Sequence, residues 1–152
     1  MANWLVKTEP DSYSIDDFAR DKVTRWDHVR NYQARNYLRQ MEVGDQVLIY
    51  HSSTDATGVV GIAKVTRTAY PDPSQFDRNS EYFDKGATSE NPRWFCPDLK
   101  LERRFGATVE LQALRNEKAL QKMVLLKRGS RLSVQPVSDE EFKVISKLGS
   151  KS

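Results

Sequence analysis

The apolar positions of this chain change period several times. Trp4, Leu5 and Val6 form a short apolar run inside Asn3–Lys7, which predicts a strand. Ser14 ahead of Ile15, with Asp16 and Asp17 in the first turn, marks a helix start with Ile15 and Phe18 facing inward. Val23–Trp26 predicts another short strand. Asn31 is a favourable N-cap for the next helix, where Ala34, Tyr37, Leu38 and Met41 recur at the spacing of one buried face and Gly44 ends the element. Gln46–His51 and Val59–Val65 are the strongest predicted strands. The first is apolar on both faces, and the polar stretch 52–58 makes the pair a hairpin candidate.

The second half begins with a long irregular stretch, 71–92, rich in Pro, Asp, Ser and Asn, of the kind that in a compact domain is functional or mobile. Trp94 and Phe95 come directly after it. Leu99, Leu101, Arg103 and Phe105 are expected on one face of a strand, and Val109 and Leu111 on another strand. Residues 111–126 predict one or two short helices, and Leu132 and Val134 one face of a further strand. Ser138–Glu141 is a capping box for a last helix that buries Phe142 and Ile145. Six or seven short strands without regularly alternating long helices argue against a doubly wound sheet and for an α+β fold, a small mixed β-barrel. The length of 152 residues predicts one domain able to bury its own core.

Composition narrows the chemistry. A single cysteine, Cys96, excludes an internal disulfide and fits a reducing compartment. The N-terminus lacks a secretory pattern and no apolar run reaches membrane-spanning length, so the expectation is a cytoplasmic protein with no membrane partner. Net charge is +3 with a pI near 9.0, which permits nucleic-acid contact without requiring it. Arg103-Arg104 and Lys127-Arg128…Arg131 are the compact basic groups, which as isolated signals read first as solvated faces. With two histidines and one cysteine there is no zinc-ligand spacing, and no strand leads into a glycine-rich phosphate loop, so no metal or cofactor is expected. His51-Ser52 does not read as a nucleophile and its base, because neighbouring strand residues point to opposite faces.

The densest chemistry lies in Trp26–Asn36, where two large aromatics, two arginines and side-chain amides cross the start of a helix. Free N–H groups and the positive end of the helix dipole lie there and suit an acceptor-rich ligand. An aromatic face beside amide and guanidinium groups suits a nucleobase. Trp26 reads equally as a ligand wall or a packing lid. Tyr50 and His51 close a strand, and Trp94 after the long loop is a third aromatic candidate. Trp4 reads as core.

Asn3-Trp4-Leu5-Val6-Lys7-Thr8-Glu9-Pro10, the Trp26–Asn36 run, Gly44-Asp45…Tyr50-His51-Ser52, Asn91-Pro92-Arg93-Trp94-Phe95 and Arg131–Val137 together resemble the EVE domain, in order and over residues 3 to 147. The resemblance implies a PUA-like fold with short flanking helices, kinship with YTH and ASCH domains, and a non-catalytic reader of modified bases. For EVE domains the bases are 5-methylcytosine and related cytosines in DNA, and for YTH relatives methylated adenine in RNA. The partner implied is nucleic acid carrying a modified base, with DNA favoured over RNA, bound by a monomer. Carried onto this chain, Trp26 and Trp94 supply aromatic walls, and Arg30, Asn31 and Gln33, flanked by Val29 and Tyr32, supply polar contacts. Tyr50, His51 and Ser52 line the same pocket, while Lys7, Arg128 and Arg131 meet phosphate. The family motif often has glycine where this chain has His28, which adds bulk and a titratable group at the mouth. An RNA-binding module is the first alternative. A small nucleotide-processing enzyme using Glu9 or His51 as acid or base ranks last.

Overall fold

The computed structural model describes residues 1–150. The chain runs through β1 (Asn3–Thr8), α1 (Ile15–Asp21), β2 (Val23–Arg25), α2 (Tyr32–Gln40), β3 (Gln46–His51), β4 (Gly58–Pro71), β5 (Phe95–Glu110), α3 (Leu111–Arg115), β6 (Val134–Val137) and α4 (Asp139–Ser150). Single 3-10 turns lie at Pro73–Phe76, Lys118–Leu120 and Val124–Leu126. The helix starts are set by local chemistry. Ser14 and Asp17 form a reciprocal capping box, and the Asn31 side chain accepts from the Ala34 N–H at 2.9 Å.

One six-stranded sheet has the order β2-β5-β4-β3-β1-β6. β1 and β3 run parallel, while the other neighbours are antiparallel. The expected barrel is therefore corrected to a sheet whose edges, β2 and β6, do not pair. The edges meet through side chains instead: Trp26 after β2 and Val134 of β6 belong to one core cluster with Trp4, Phe18, Leu38 and Leu99. A second cluster on the other face gathers Leu5, Leu48, Tyr50, Phe105, Leu114, Met123 and Ile145. The apolar positions on both faces of β3 are thus explained by a sheet covered on both sides.

The long hairpin β4–β5 departs from simple alternation. Ile62 pairs with Arg103 but Ala63 pairs with Leu101, so β5 carries an extra residue there. That slip turns the later residues of β5 to the opposite face. Leu99 and Leu101 pack in the first cluster and Phe105 in the second, so the single face expected for these residues is split. Gly61 sits beside the bulge, where a Cβ would lie 2.7 Å from the Arg103 carbonyl oxygen. The two strands expected around residues 99–111 are one strand, β5, and β4 runs six residues further than expected, to Pro71. Arg103 and Arg104 are structural: Arg103 donates to the Ser146 carbonyl at 2.6 Å, and Arg104 pairs with Asp16. Among the described residues, no helix is long and apolar enough to cross a membrane.

Candidate functional site

β2 ends at Arg25, and the segment from Trp26 to Asn31 crosses to α2 without regular structure. It is pinned at two points. The Trp26 N–H donates to the Pro97 carbonyl at 2.9 Å, and the His28 N–H donates to Asp72 Oδ2 at 2.8 Å. His28 has φ +70°, a left-handed conformation that glycine adopts without a steric cost, which is a physical reason for glycine at this place in the motif. Its ring stacks on Tyr82 at 4.0 Å with planes 6° apart.

Beneath this segment lies a cavity of about 360 Å³. Lys7 and Thr8 from the end of β1, Ser12 and Tyr13, Thr24 and Arg25 of β2, the run from Trp26 to Arg30, Tyr82 of the long loop and Ser133 before β6 surround it. Trp26 is 7% exposed. It packs edge-on to Tyr13 at 6.3 Å and tilted to Phe18 at 6.3 Å, and it also lines the cavity. It is both core and wall.

The stretch 71–92 is fastened rather than loose. Gln75, fully buried, bridges its two ends: its amide nitrogen donates to the Asp72 and Trp94 carbonyls at 2.9 and 2.8 Å, and its oxygen accepts from the Arg93 and Trp94 N–H groups, each at 2.9 Å. Asp72, also fully buried, accepts from Ser74 on Oδ1 and from His28 N–H and Arg30 on Oδ2. Burial alone would push the Asp72 carboxyl up, but these hydrogen bonds outweigh it and hold it below the usual carboxylate range. Arg30 completes the clamp. Its guanidinium donates to the Tyr82 carbonyl at 2.8 Å, Ser74 Oγ at 2.9 Å, Asp72 Oδ2 at 3.1 Å and the Val29 carbonyl at 3.1 Å.

Asp27 behaves in the opposite way. Burial pushes its carboxyl up, His28 partly offsets this, and Asp72 adds to it. Burial also lowers the Lys7 ammonium pKa. Both line the cavity, and burial there disfavours the charged form of each.

The structure brings Lys7, Trp26, Val29 and Arg30 to this cavity and leaves the other expected residues outside its lining. Asn31 caps α2. Tyr32, 53% exposed, stacks on Trp94 at 5.0 Å. Gln33 is exposed on α2. Trp94 donates through Nε1 to Asp84 at 2.8 Å and borders a shallow recess on the far side of Arg30, formed with Glu81, Tyr82, Phe83 and Lys85. Tyr50 is buried in the second cluster with Lys7 Nζ 5.8 Å from its ring centre. His51 faces α1: its Nε2 accepts from the Ile15 N–H at 3.0 Å, and burial lowers its pKa. Ser52 donates its N–H to the Thr8 carbonyl at 3.0 Å. Arg128 and Arg131 are exposed. Reasoning from sequence missed Asp27, Arg25, Thr24, Ser12, Tyr13, Ser133 and Tyr82. Asp27 and Arg25 adjoin Trp26 and were within reach, whereas nothing local marks Tyr82 or Ser133.

Comparison with known proteins gives this geometry a family. The EVE domain model matches residues 2–148. Human thymocyte nuclear protein 1 is 37% identical over 169 residues, covering 99% of this chain and 75% of that protein. A Pseudomonas syringae crystal structure superposes with TM-score 0.94 at 44% identity, covering 97% of this chain and 99% of its own. The crystal structure of human THYN1 protein in complex with DNA containing 5-methylcytosine superposes with TM-score 0.92 at 35% identity, covering 100% of this chain and 99% of that one. With a family model spanning nearly its whole length and the PUA-like architecture in common, the chain belongs to the EVE domain family.

Proposed function

We propose that this chain is a single non-catalytic EVE module that binds nucleic acid and reads a modified base, a modified cytosine in DNA, by accepting the flipped base into the cavity beside Trp26. The observation that carries this reading is the cavity itself. An indole wall, a ring of small hydroxyls and charged groups of both signs enclose a volume in the range of small-ligand sites. The DNA complex of the human homologue supports the ligand class. Stacking on an aromatic side chain contributes roughly 1–3 kcal/mol per base. Burying a methyl group adds about 0.8 kcal/mol, or roughly four-fold in affinity.

Lys7, Arg128 and Arg131 are proposed to meet the phosphate backbone. Arg115, Lys118, Lys122 and Lys127 support that placement, because they are exposed with Arg128 and Arg131 on the connection from β5 to β6. Among the described residues none of these six cations is in an ion pair. Ser133, which ends this connection, lines the cavity and accepts the Lys7 N–H at 2.9 Å. Trp94, which lines the recess beside Arg30, and Tyr32, stacked on it, would meet a neighbouring nucleotide rather than the flipped base, and Gln33, exposed on the same helix as Tyr32, would contact the backbone. The non-catalytic reading rests on where the acid–base candidates sit. His51 is held against α1, and Glu9 is exposed and outside the cavity lining. The module is proposed to work as a monomer, in a cytoplasmic setting that its free thiol suits.

Titration of matched oligonucleotides with cytosine or 5-methylcytosine at one position tests the reading. It predicts tighter binding to the modified strand at every salt concentration. Equal affinities that fall together with salt would leave only backbone binding. Competition by RNA of the same sequence decides between the nucleic acids.

A further inference from the structure

Burial of the C5 methyl group leaves one discrimination unsolved. Thymine carries the same C5 methyl as 5-methylcytosine. The two rings differ at position 4, where thymine presents a carbonyl and cytosine an amine. A cavity that reads only shape admits both, and thymine is abundant in DNA. At position 4, thymine is rejected by a group that accepts hydrogen bonds and does not donate. An ionised carboxylate has that property, while hydroxyls do both and lysine and arginine only donate.

Among the side chains lining the cavity, one is a carboxylate, Asp27. The other polar groups are the hydroxyls of Thr8, Ser12, Tyr13, Thr24, Tyr82 and Ser133, the His28 imidazole, whose Nε2 is turned to Asp27, and the donors Lys7, Arg25, Arg30 and the Trp26 indole N–H. Asp27 keeps 23% of its side chain exposed. Arg25 Nε and His28 Nε2 approach it at 3.3 and 3.4 Å, both on Oδ2, so Oδ1 has no side-chain partner among the described residues. Asp72, close enough to be felt electrostatically, is no substitute: it is fully buried and both of its oxygens are occupied.

We propose that Asp27 is the specificity-determining residue of the cavity: Oδ1 accepts from the 4-amino group of a flipped 5-methylcytosine, and the same oxygen repels the 4-carbonyl of thymine. This rests on the base-reading function proposed above. Arg25 and His28 hold the carboxylate from the other oxygen.

The test uses the full chain and oligonucleotides that carry 5-methylcytosine, cytosine, thymine or 5-methyl-2-pyrimidinone at one position, opposite an abasic residue so that unpairing costs are equal. In 5-methyl-2-pyrimidinone, hydrogen replaces the 4-amino group. The unaltered protein is expected to prefer 5-methylcytosine over thymine and over the pyrimidinone by about tenfold or more. Asp27→Asn, whose amide both donates and accepts, is expected to bring both ratios within about three-fold while keeping the preference for 5-methylcytosine over cytosine. Asp27→Ser serves the same purpose if the first variant does not fold. The proposal is overturned if the unaltered protein binds the pyrimidinone as tightly as 5-methylcytosine, or if a folded variant keeps the full ratios. Loss of the base-reading function itself has a different signature, equal binding of cytosine and 5-methylcytosine by the unaltered protein.

Discussion

The two walls of the cavity, one of them Arg30 with the buried Asp72 and Gln75 behind it, are made of similar residues used in different ways. On the loop side, Asp72, Gln75 and Arg30 are joined in one network in which each donor and acceptor has a partner, and Asp72 stays ionised below the ordinary carboxylate range. On the sheet side, Lys7, Arg25 and Asp27 sit around open volume, burial pushes Asp27 above that range, and one of its oxygens is without a side-chain partner. Two aspartates, one buried behind the cavity and one lining it, therefore do different work. A fully satisfied buried carboxylate fixes geometry, whereas a partly exposed one with spare acceptor capacity is available to a ligand.

Breaking the loop-side network should have the largest effect. Arg30→Ala leaves Asp72 as a buried charge without its cation and should destabilise the fold by about 3–5 kcal/mol, as read by chemical denaturation, with faster proteolysis within 77–93. Asp27→Asn on the opposite wall should cost less than about 1 kcal/mol. Equal losses for the two variants would erase the distinction between the walls. Gln75→Leu, which strips partners from four backbone groups at the base of the loop, should come next with a loss of about 2–3 kcal/mol.

A smaller effect comes from His51, which lies outside both walls. Its folded pKa is depressed from 6.5, so the unfolded chain takes up its proton first. The contribution of neutral His51 is complete above pH 6.5 and is lost as pH falls from there through the folded pKa. Thermal melts without nucleic acid should show stability falling across that window, and His51→Ala should flatten the fall. The smallest change is expected for His28→Gly. It removes left-handed strain and also the Tyr82 stack, leaving stability within about 1 kcal/mol of the parent while opening the cavity mouth.

Local patterns in the sequence were enough to place the helix starts. Ser14, Asn31 and Ser138 cap the helices expected of them, because capping depends on residues three apart. The Trp26–Arg30 segment, which lines the cavity, was legible as a candidate site from its local density of aromatic and polar residues. Its partners were not. Tyr82 reaches Arg30 across 52 residues, and Gln75 reads as an ordinary loop amide until its burial is known. The split of Leu101 and Phe105 between two cores arises from a bulge whose position depends on the partner strand. The expected α+β architecture is the one found, but the mixed barrel stays open at β2, three residues long, which pairs with β5 alone. Tyr50 and His51 lie at the strand end where they were expected, but the aromatic ring faces the second core and the imidazole faces α1.

The three tryptophans allow the central claim to be observed directly. The Trp4 indole N–H is bonded to Asp45 at 3.0 Å, Trp94 is bonded to Asp84 at 2.8 Å, and Trp26 lines the cavity. In a nitrogen-15 NMR titration with an oligonucleotide carrying one 5-methylcytosine, the Trp26 indole signal should move most, with Trp4 unchanged and the unmodified oligonucleotide producing a much smaller shift at Trp26. A Trp26 signal that stays in place while the modified strand binds would contradict the account.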